Sequence, residues 1–83
     1  MNYSNVKIYA TKTCPYCTMA ADWLRFKNVK FEKVMVDRDY REAENMVQKT
    51  GQMGVPVIEI GDETIIGFDR NRIDLALREN KLI

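Results

Sequence analysis

Val6-Lys7-Ile8-Tyr9-Ala10-Thr11-Lys12-Thr13-Cys14-Pro15-Tyr16-Cys17 is the stretch that decides how this chain folds. Its first half alternates and is rich in β-formers, which predicts a strand over Val6 to Ala10. Its second half changes period. Apolar residues recur at Tyr16, Met19, Ala20, Trp23 and Leu24, the spacing of one helix face. Pro15 suits a first helical turn, where the missing N–H costs nothing. Asn28 is the expected stop, because Asn tolerates the left-handed conformation. A strand therefore runs almost directly into a helix, and a Cys-Pro-Tyr-Cys segment sits at the junction.

Further along, Phe31 to Val36 reads as a second strand, broken by Asp37-Arg38-Asp39. Asp39 followed by Glu42 has the form of a capping box. It opens a second helix with Tyr40, Ala43 and Val47 on one face and Met46 beside them, ended by Gly51. Val57 to Ile60 is a third strand. Gly61-Asp62 is a hairpin signal, so Glu63 to Ile66 is expected to pair with it antiparallel. Asp69 is the expected N-cap of a last helix, with Ile73, Ala76 and Leu77 inward. The order is β-α-β-α-β-β-α, an α/β chain. A right-handed crossover makes strands one and two parallel, and helices cover both faces of one small mixed sheet. No repeat or linker interrupts residues 1–83, so one domain is expected.

Composition closes off several functions. The chain has 83 residues, 13 Lys or Arg against 12 Asp or Glu, no His and two Cys. A net charge of +1 supplies no field for gathering nucleic acid or an anionic membrane. Without His, neither a Ser-His-Asp nor a Cys-His arrangement can be built from this chain. Structural zinc takes four Cys or His ligands, twice what is present, so no metal is assigned. The N-terminus lacks a basic stretch followed by a long apolar run, and no apolar stretch reaches the ~20 residues of a membrane span. A soluble protein of a reducing compartment, the cytoplasm, is the expectation, and nothing demands more than a monomer.

The chemistry is expected at the two thiols. At a helix N-terminus, unpaired N–H groups and the macrodipole favour negative charge, and the thiolate is the reactive form of cysteine. Cys17 lies nearly one turn deeper. Cys14 is therefore read as the nucleophile toward a substrate disulfide, and Cys17 as the thiol that resolves the mixed disulfide. Lys12 adds a second positive influence, or is simply solvated. Val55-Pro56 has two readings. It is a strand-start proline, or a cis proline presenting the Val55 backbone N–H and C=O to an extended peptide-like ligand. Trp23, Met19 and Leu24 are read as core residues.

With the strand, the C-P-Y-C helix, the V-P pair and the G-F-D segment in this order, the chain resembles the glutaredoxin family of the thioredoxin fold. The resemblance runs from Val6 to about Leu82. It implies a four-stranded mixed sheet flanked by three helices, a cis Pro56 beside Cys14, and dithiol–disulfide exchange. It also implies that Lys12, Cys14, Tyr16, Val55 and Pro56 line a site for the glutathione moiety, with glutathione a co-substrate and no cofactor bound. Glutaredoxins typically have Thr before Val-Pro, where Gly54 stands here. They also carry a Gly-Gly pair followed after one residue by acids, where this chain has Gly67-Phe68-Asp69-Arg70-Asn71. In that segment Gly67, Phe68 and Asp69 are candidate binding residues, and Asp69 alone offers an acid. Arg70 would repel an ammonium and attract a carboxylate.

The Gly67-Phe68 pair is similar to the NrdH-type redoxins, which are reduced by thioredoxin reductase and serve ribonucleotide reductase. The expected partners are disulfide-containing proteins, with glutathione or thioredoxin reductase as the electron source. Two other classes compete. One is a metal or iron–sulfur dimer bridged through Cys14, which Pro15 disfavours by crowding the site. The other is a non-catalytic adaptor, in which Cys14 would react slowly.

Overall fold

A computed structural model describes residues 5–83 of the chain. Four strands and three helices follow in the order β1 (Val6–Ala10), α1 (Pro15–Phe26), β2 (Glu32–Met35), α2 (Tyr40–Thr50), β3 (Val57–Ile60), β4 (Glu63–Ile66) and α3 (Arg70–Glu79). This is the expected succession. The sheet order is β2-β1-β3-β4. β1 and β2 are parallel, with Ile8 opposite Lys33. β1 and β3 are antiparallel, with Ile8 opposite Ile58. β3 and β4 form the expected antiparallel hairpin, with Ile58 opposite Ile65.

Alternation along β1 and β3 divides the interior in two. Val6, Ile8, Ala10, Ile58 and Ile60 join Leu24 of α1 and Ile73 and Leu77 of α3 in the larger core. Tyr9 and Val57 point to the other face and meet Val34, Val36 and Met46. Both faces of the two central strands are thus covered. β2 lies at an edge with Glu32 and Lys33 exposed, charges that discourage pairing with a further strand.

The caps follow the sequence closely. Asp69 accepts from the Arg72 N–H at 3.2 Å and starts α3. Asp39 accepts from the Glu42 N–H at 3.2 Å and starts α2. The return half of the expected capping box does not form, because the Asp39 N–H is taken by the Met35 carbonyl at 3.1 Å. Asn28 has φ 60° just past α1, the left-handed stop anticipated. At the β3–β4 turn Gly61 has φ 59°, and a Cβ there would run into the Asn80 side chain, so both backbone and space call for glycine.

Three inward assignments need correction. α1 buries Cys17, Ala20, Ala21 and Leu24, so Ala20 and Leu24 are inward as expected, while Tyr16 and Met19 are not. Tyr16 is 62% and Met19 46% exposed. Two apolar registers overlap on this helix, and the one carrying the small Ala20 and Ala21 lets its backbone come close to the sheet. Trp23 is half-buried at the boundary. Its indole N–H donates to Asp74 Oδ1 at 2.8 Å and ties α1 to α3.

α2 likewise buries only Met46, leaving Ala43 and Val47 half-buried and Tyr40 exposed. Its C-terminal end is held to the sheet by polar contacts instead. Lys49 Nζ donates to Glu59 Oε2 at 2.9 Å and to Tyr9 Oη at 3.3 Å.

Candidate active site

Cys14 is the N-cap of α1, with extended backbone angles (φ −107°, ψ 105°) and Pro15 following at the first helical position. The cap is made by sulfur: Cys14 Sγ accepts the Cys17 N–H at 3.1 Å. The Cys14 carbonyl already accepts the Thr18 N–H at 3.2 Å, as the first helical bond. A backbone donor at the positive end of a helix is thereby aimed at this sulfur. Both cysteines are free; Cys14 is half-buried and Cys17 is buried.

Burial pushes the Cys17 thiol up to about 12, and its hydrogen bond to Cys14 and the repulsion from that neighbour add to the rise. The Thr11 backbone and the Lys33 ammonium pull weakly the other way. The two thiols are therefore unequal. One is open to a substrate, and the other keeps its proton inside the helix–sheet interface.

That inequality has a consequence for stability. Between the ordinary thiol value of 9.0 and about 12, the folded protein retains the Cys17 proton that the unfolded chain gives up. The unfolded state is then the one favoured by rising pH. The contribution is fully present below 9.0 and is lost toward 12. The reduced protein is expected to lose stability to urea between about pH 9 and about pH 12, more steeply than Cys17→Ala. Parallel slopes for the two proteins would refute this.

Val55-Pro56 is a cis peptide. The cis reading of that pair therefore holds. Pro56 is buried and Val55 half-buried, packed against both cores. The Val55 carbonyl lies 3.9 Å from Cys14 Sγ, which brings these two expected site residues together across the fold. No hydrogen-bond partner meets the Val55 N–H among the described residues. A free N–H and a carbonyl facing the reactive sulfur form a short strand-like edge. The Gly67 N–H donates to the Pro56 carbonyl at 2.8 Å, so the Gly67 segment is tethered to the same strip.

The remaining candidates are placed less directly. Tyr16 is exposed on the first turn of α1. The Lys12 side chain is exposed, and its backbone N–H donates to Asp37 Oδ2 at 3.0 Å. Phe68 packs against the larger core and lines an open groove with Met19, Trp23, Phe26 and Arg70. Asp69 is exposed but has one carboxylate oxygen committed to capping α3. Two residues beside the site escaped the sequence reading. The Lys33 charge is felt at Cys17 only because β2 lies next to β1. Gln52 is bonded to the loop preceding Val55. A polar Thr-Gly-Gln run ahead of Gly54 was its only sequence signal.

The family model for glutaredoxin matches residues 6–65, well over half of the chain and both halves of the site. The chain belongs to the glutaredoxin family. It is 44% identical over 74 residues to a glutaredoxin-like 8.6 kDa protein in the rubredoxin operon of Clostridium pasteurianum, covering 89% of this chain and 99% of that one. It is 38% identical over 66 residues to glutaredoxin 3 of Escherichia coli, with 80% of each chain covered. Among solved structures, a glutaredoxin from Archaeoglobus fulgidus superposes with a TM-score of 0.82 at 25% identity, covering 89% of this chain and 86% of that one. NrdH-redoxin from Escherichia coli superposes with a TM-score of 0.74 at 27% identity, covering 84% and 91%. The fold is the thioredoxin-like one, and Cys14-Pro15-Tyr16-Cys17 is a C-x-x-C motif.

Proposed function

We propose that this glutaredoxin is a thiol–disulfide oxidoreductase acting through both cysteines on protein disulfides, glutathione mixed disulfides, or both. The observation that carries the reading is the inequality of the thiols: Cys14 half-exposed under a backbone N–H, Cys17 buried and holding its proton. Cys14 thiolate attacks one sulfur of the substrate disulfide, and the other sulfur leaves as a thiolate. Cys17 then loses its proton and attacks Cys14 Sγ. The substrate leaves as a thiol, and the protein is left with a Cys14–Cys17 disulfide, two electrons poorer. Once Cys14 is in the mixed disulfide, two causes of the high Cys17 value lapse, the hydrogen bond to Cys14 and its charge. Burial alone then opposes ionisation, so the resolving thiol becomes easier to deprotonate at the step that needs it. The Val55 edge supports an extended backbone beside the reacting sulfur, and the glutaredoxin resemblance adds Lys12, Tyr16 and Pro56 to that binding site.

A second reading concerns the electron source. Phe68 fills space where a small residue would leave room, Asp69 caps α3, and Arg70 lines the neighbouring groove. A cationic side chain there is unfavourable for the ammonium end of glutathione. These features favour thioredoxin reductase as donor and ribonucleotide reductase among the acceptors. The structural neighbour NrdH-redoxin has a thioredoxin-like activity profile. We place the protein in the reducing cytoplasm, acting as a monomer. The competing idea of an iron–sulfur or metal-bridged dimer draws no support from these features.

The experiment is NADPH oxidation measured in two coupled systems. One contains glutathione, glutathione reductase and a small glutathione mixed disulfide. The other contains thioredoxin reductase and a protein disulfide. Turnover in the thioredoxin-reductase system at least about tenfold above the glutathione system is the expected outcome for a pocket built around Phe68 and Arg70. The reverse ratio would establish glutathione as the donor, and no turnover in either would end the oxidoreductase reading.

A further inference from the structure

The loop ahead of Val55 is built around one side chain. Gln52 Oε1 accepts the Gly54 N–H at 2.7 Å. Gln52 Nε2 donates to the Gly54 carbonyl at 3.1 Å. One carboxamide thus pairs with both backbone groups of a residue two positions on, as a neighbouring strand would. Thr50 supports the same loop from the end of α2. Its hydroxyl oxygen accepts the Gln52 N–H at 3.3 Å, and its single proton is shared between the Met46 carbonyl at 2.8 Å and the Gln52 carbonyl at 3.0 Å. Everything the loop does is transmitted to Val55, the next residue, whose carbonyl faces Cys14 Sγ.

Gly54 supplies an independent observation. Its φ is not in the left-handed region, so its backbone accepts any side chain. A Cβ built there would lie 2.7 Å from Gln52 Oε1, and beyond the two adjacent residues no atom outside the Gln52 side chain lies within 4 Å. Glycine at this position is therefore required by neither backbone nor packing. The Gln52 carboxamide alone uses the space. A side chain at position 54 and the Gln52 clamp exclude one another.

We propose that Gln52 is a positioning residue for substrate backbone. By bracketing the Gly54 peptide groups it holds the Val55 edge in register with Cys14, and so sets how well an extended peptide carrying the disulfide is received. This rests on the thiol-exchange reading above and adds a specificity determinant to it. Gln52 contacts no reacting atom. Its effect should appear with substrates that carry a peptide backbone and vanish with those that do not.

The test compares two disulfides that report through the same coloured thiolate, thionitrobenzoate. One is a short cysteinyl peptide capped with that group. The other is Ellman's reagent, which has no peptide to dock. Reduced wild type, Gln52→Ala, Gln52→Glu and Gly54→Thr are mixed with each in single turnover. Gln52→Ala is expected to slow the peptide reaction about tenfold through loss of preorganisation, and to leave the Ellman reaction within about twofold. Gln52→Glu keeps the acceptor for the Gly54 N–H and loses the donor, so an intermediate rate is expected. Gly54→Thr displaces the carboxamide and should match Gln52→Ala, and the double variant should be no slower than either. Equal slowing of both disulfides, multiplying losses in the double variant, or a peptide rate unchanged in Gln52→Ala would each overturn the proposal. Failure of wild type to react with either disulfide would instead bring down the exchange reading itself.

Discussion

Cys14→Ser is expected to remove disulfide reduction, lowering the rate by at least about a thousandfold in either coupled system. The reason is chemical before it is structural. A serine hydroxyl in the same place stays protonated at neutral pH, and neither the helix N-terminus nor the Cys17 N–H can ionise it. The fold should be little changed, because a serine oxygen makes a good N-cap and accepts the same N–H. Loss of activity with retained thermal stability is therefore the signature. Retention of reductase activity in Cys14→Ser would refute the assignment of the nucleophile. Cys17→Ser is distinguished by where the reaction halts. The first exchange proceeds, and the mixed disulfide on Cys14 persists because its resolving thiol is gone. Mass spectrometry after a single addition of substrate would show that adduct, which wild type releases.

Leu24→Ala is expected to cost about 3 kcal/mol, within the range for a fully buried leucine whose cavity does not collapse. Leu24 has 0% exposure and lies in the larger core beneath α1. A chain of this size is stabilised by roughly 4 to 12 kcal/mol in total. The melting temperature should therefore fall by about 12 to 24 °C. Met19→Ala, on the same helix, is expected to change stability by less than about 0.5 kcal/mol, because the side chain already meets solvent. The pair tests the orientation of α1. Equal losses would mean that the helix is turned toward the face read from apolar spacing alone. The orientation matters for function because rotation of α1 would carry Cys17 out of the interior and Cys14 away from Val55.

Local chemistry was readable in advance because it depends on neighbours in the chain. Asp39 and Asp69 cap helices through bonds reaching three residues on, Asn28 and Gly61 mark backbone reversals, and Cys14-Pro15 marks a helix start. Each is a property of a few consecutive residues. The misread helix faces show the boundary of that logic. In α1 two apolar registers are equally well spaced, and only the proximity of the sheet selects the one with Ala20 and Ala21. In α2 the expected stripe is only partly inward: Met46 is buried with Tyr9, Val34 and Val57, Ala43 packs half-buried against them, and Tyr40 is exposed.

The sequence by itself determined the succession of elements, the place of Cys14 at a helix N-terminus and the difference in depth between the two thiols. All of these arise within one or two turns of backbone. Only the tertiary structure decided what surrounds them. Cys14 and Val55 are 41 residues apart and meet because β1 and β3 are neighbours in the sheet. The high Cys17 value comes from burial, which exists only once α1 has closed on the sheet. The Gln52 carboxamide is only two residues from Gly54 in sequence, but its bearing on the thiol passes through that same contact. Electrostatic and packing forces act over ångströms of space, and spatial neighbours are assigned by strand order and register, which no short stretch of residues encodes.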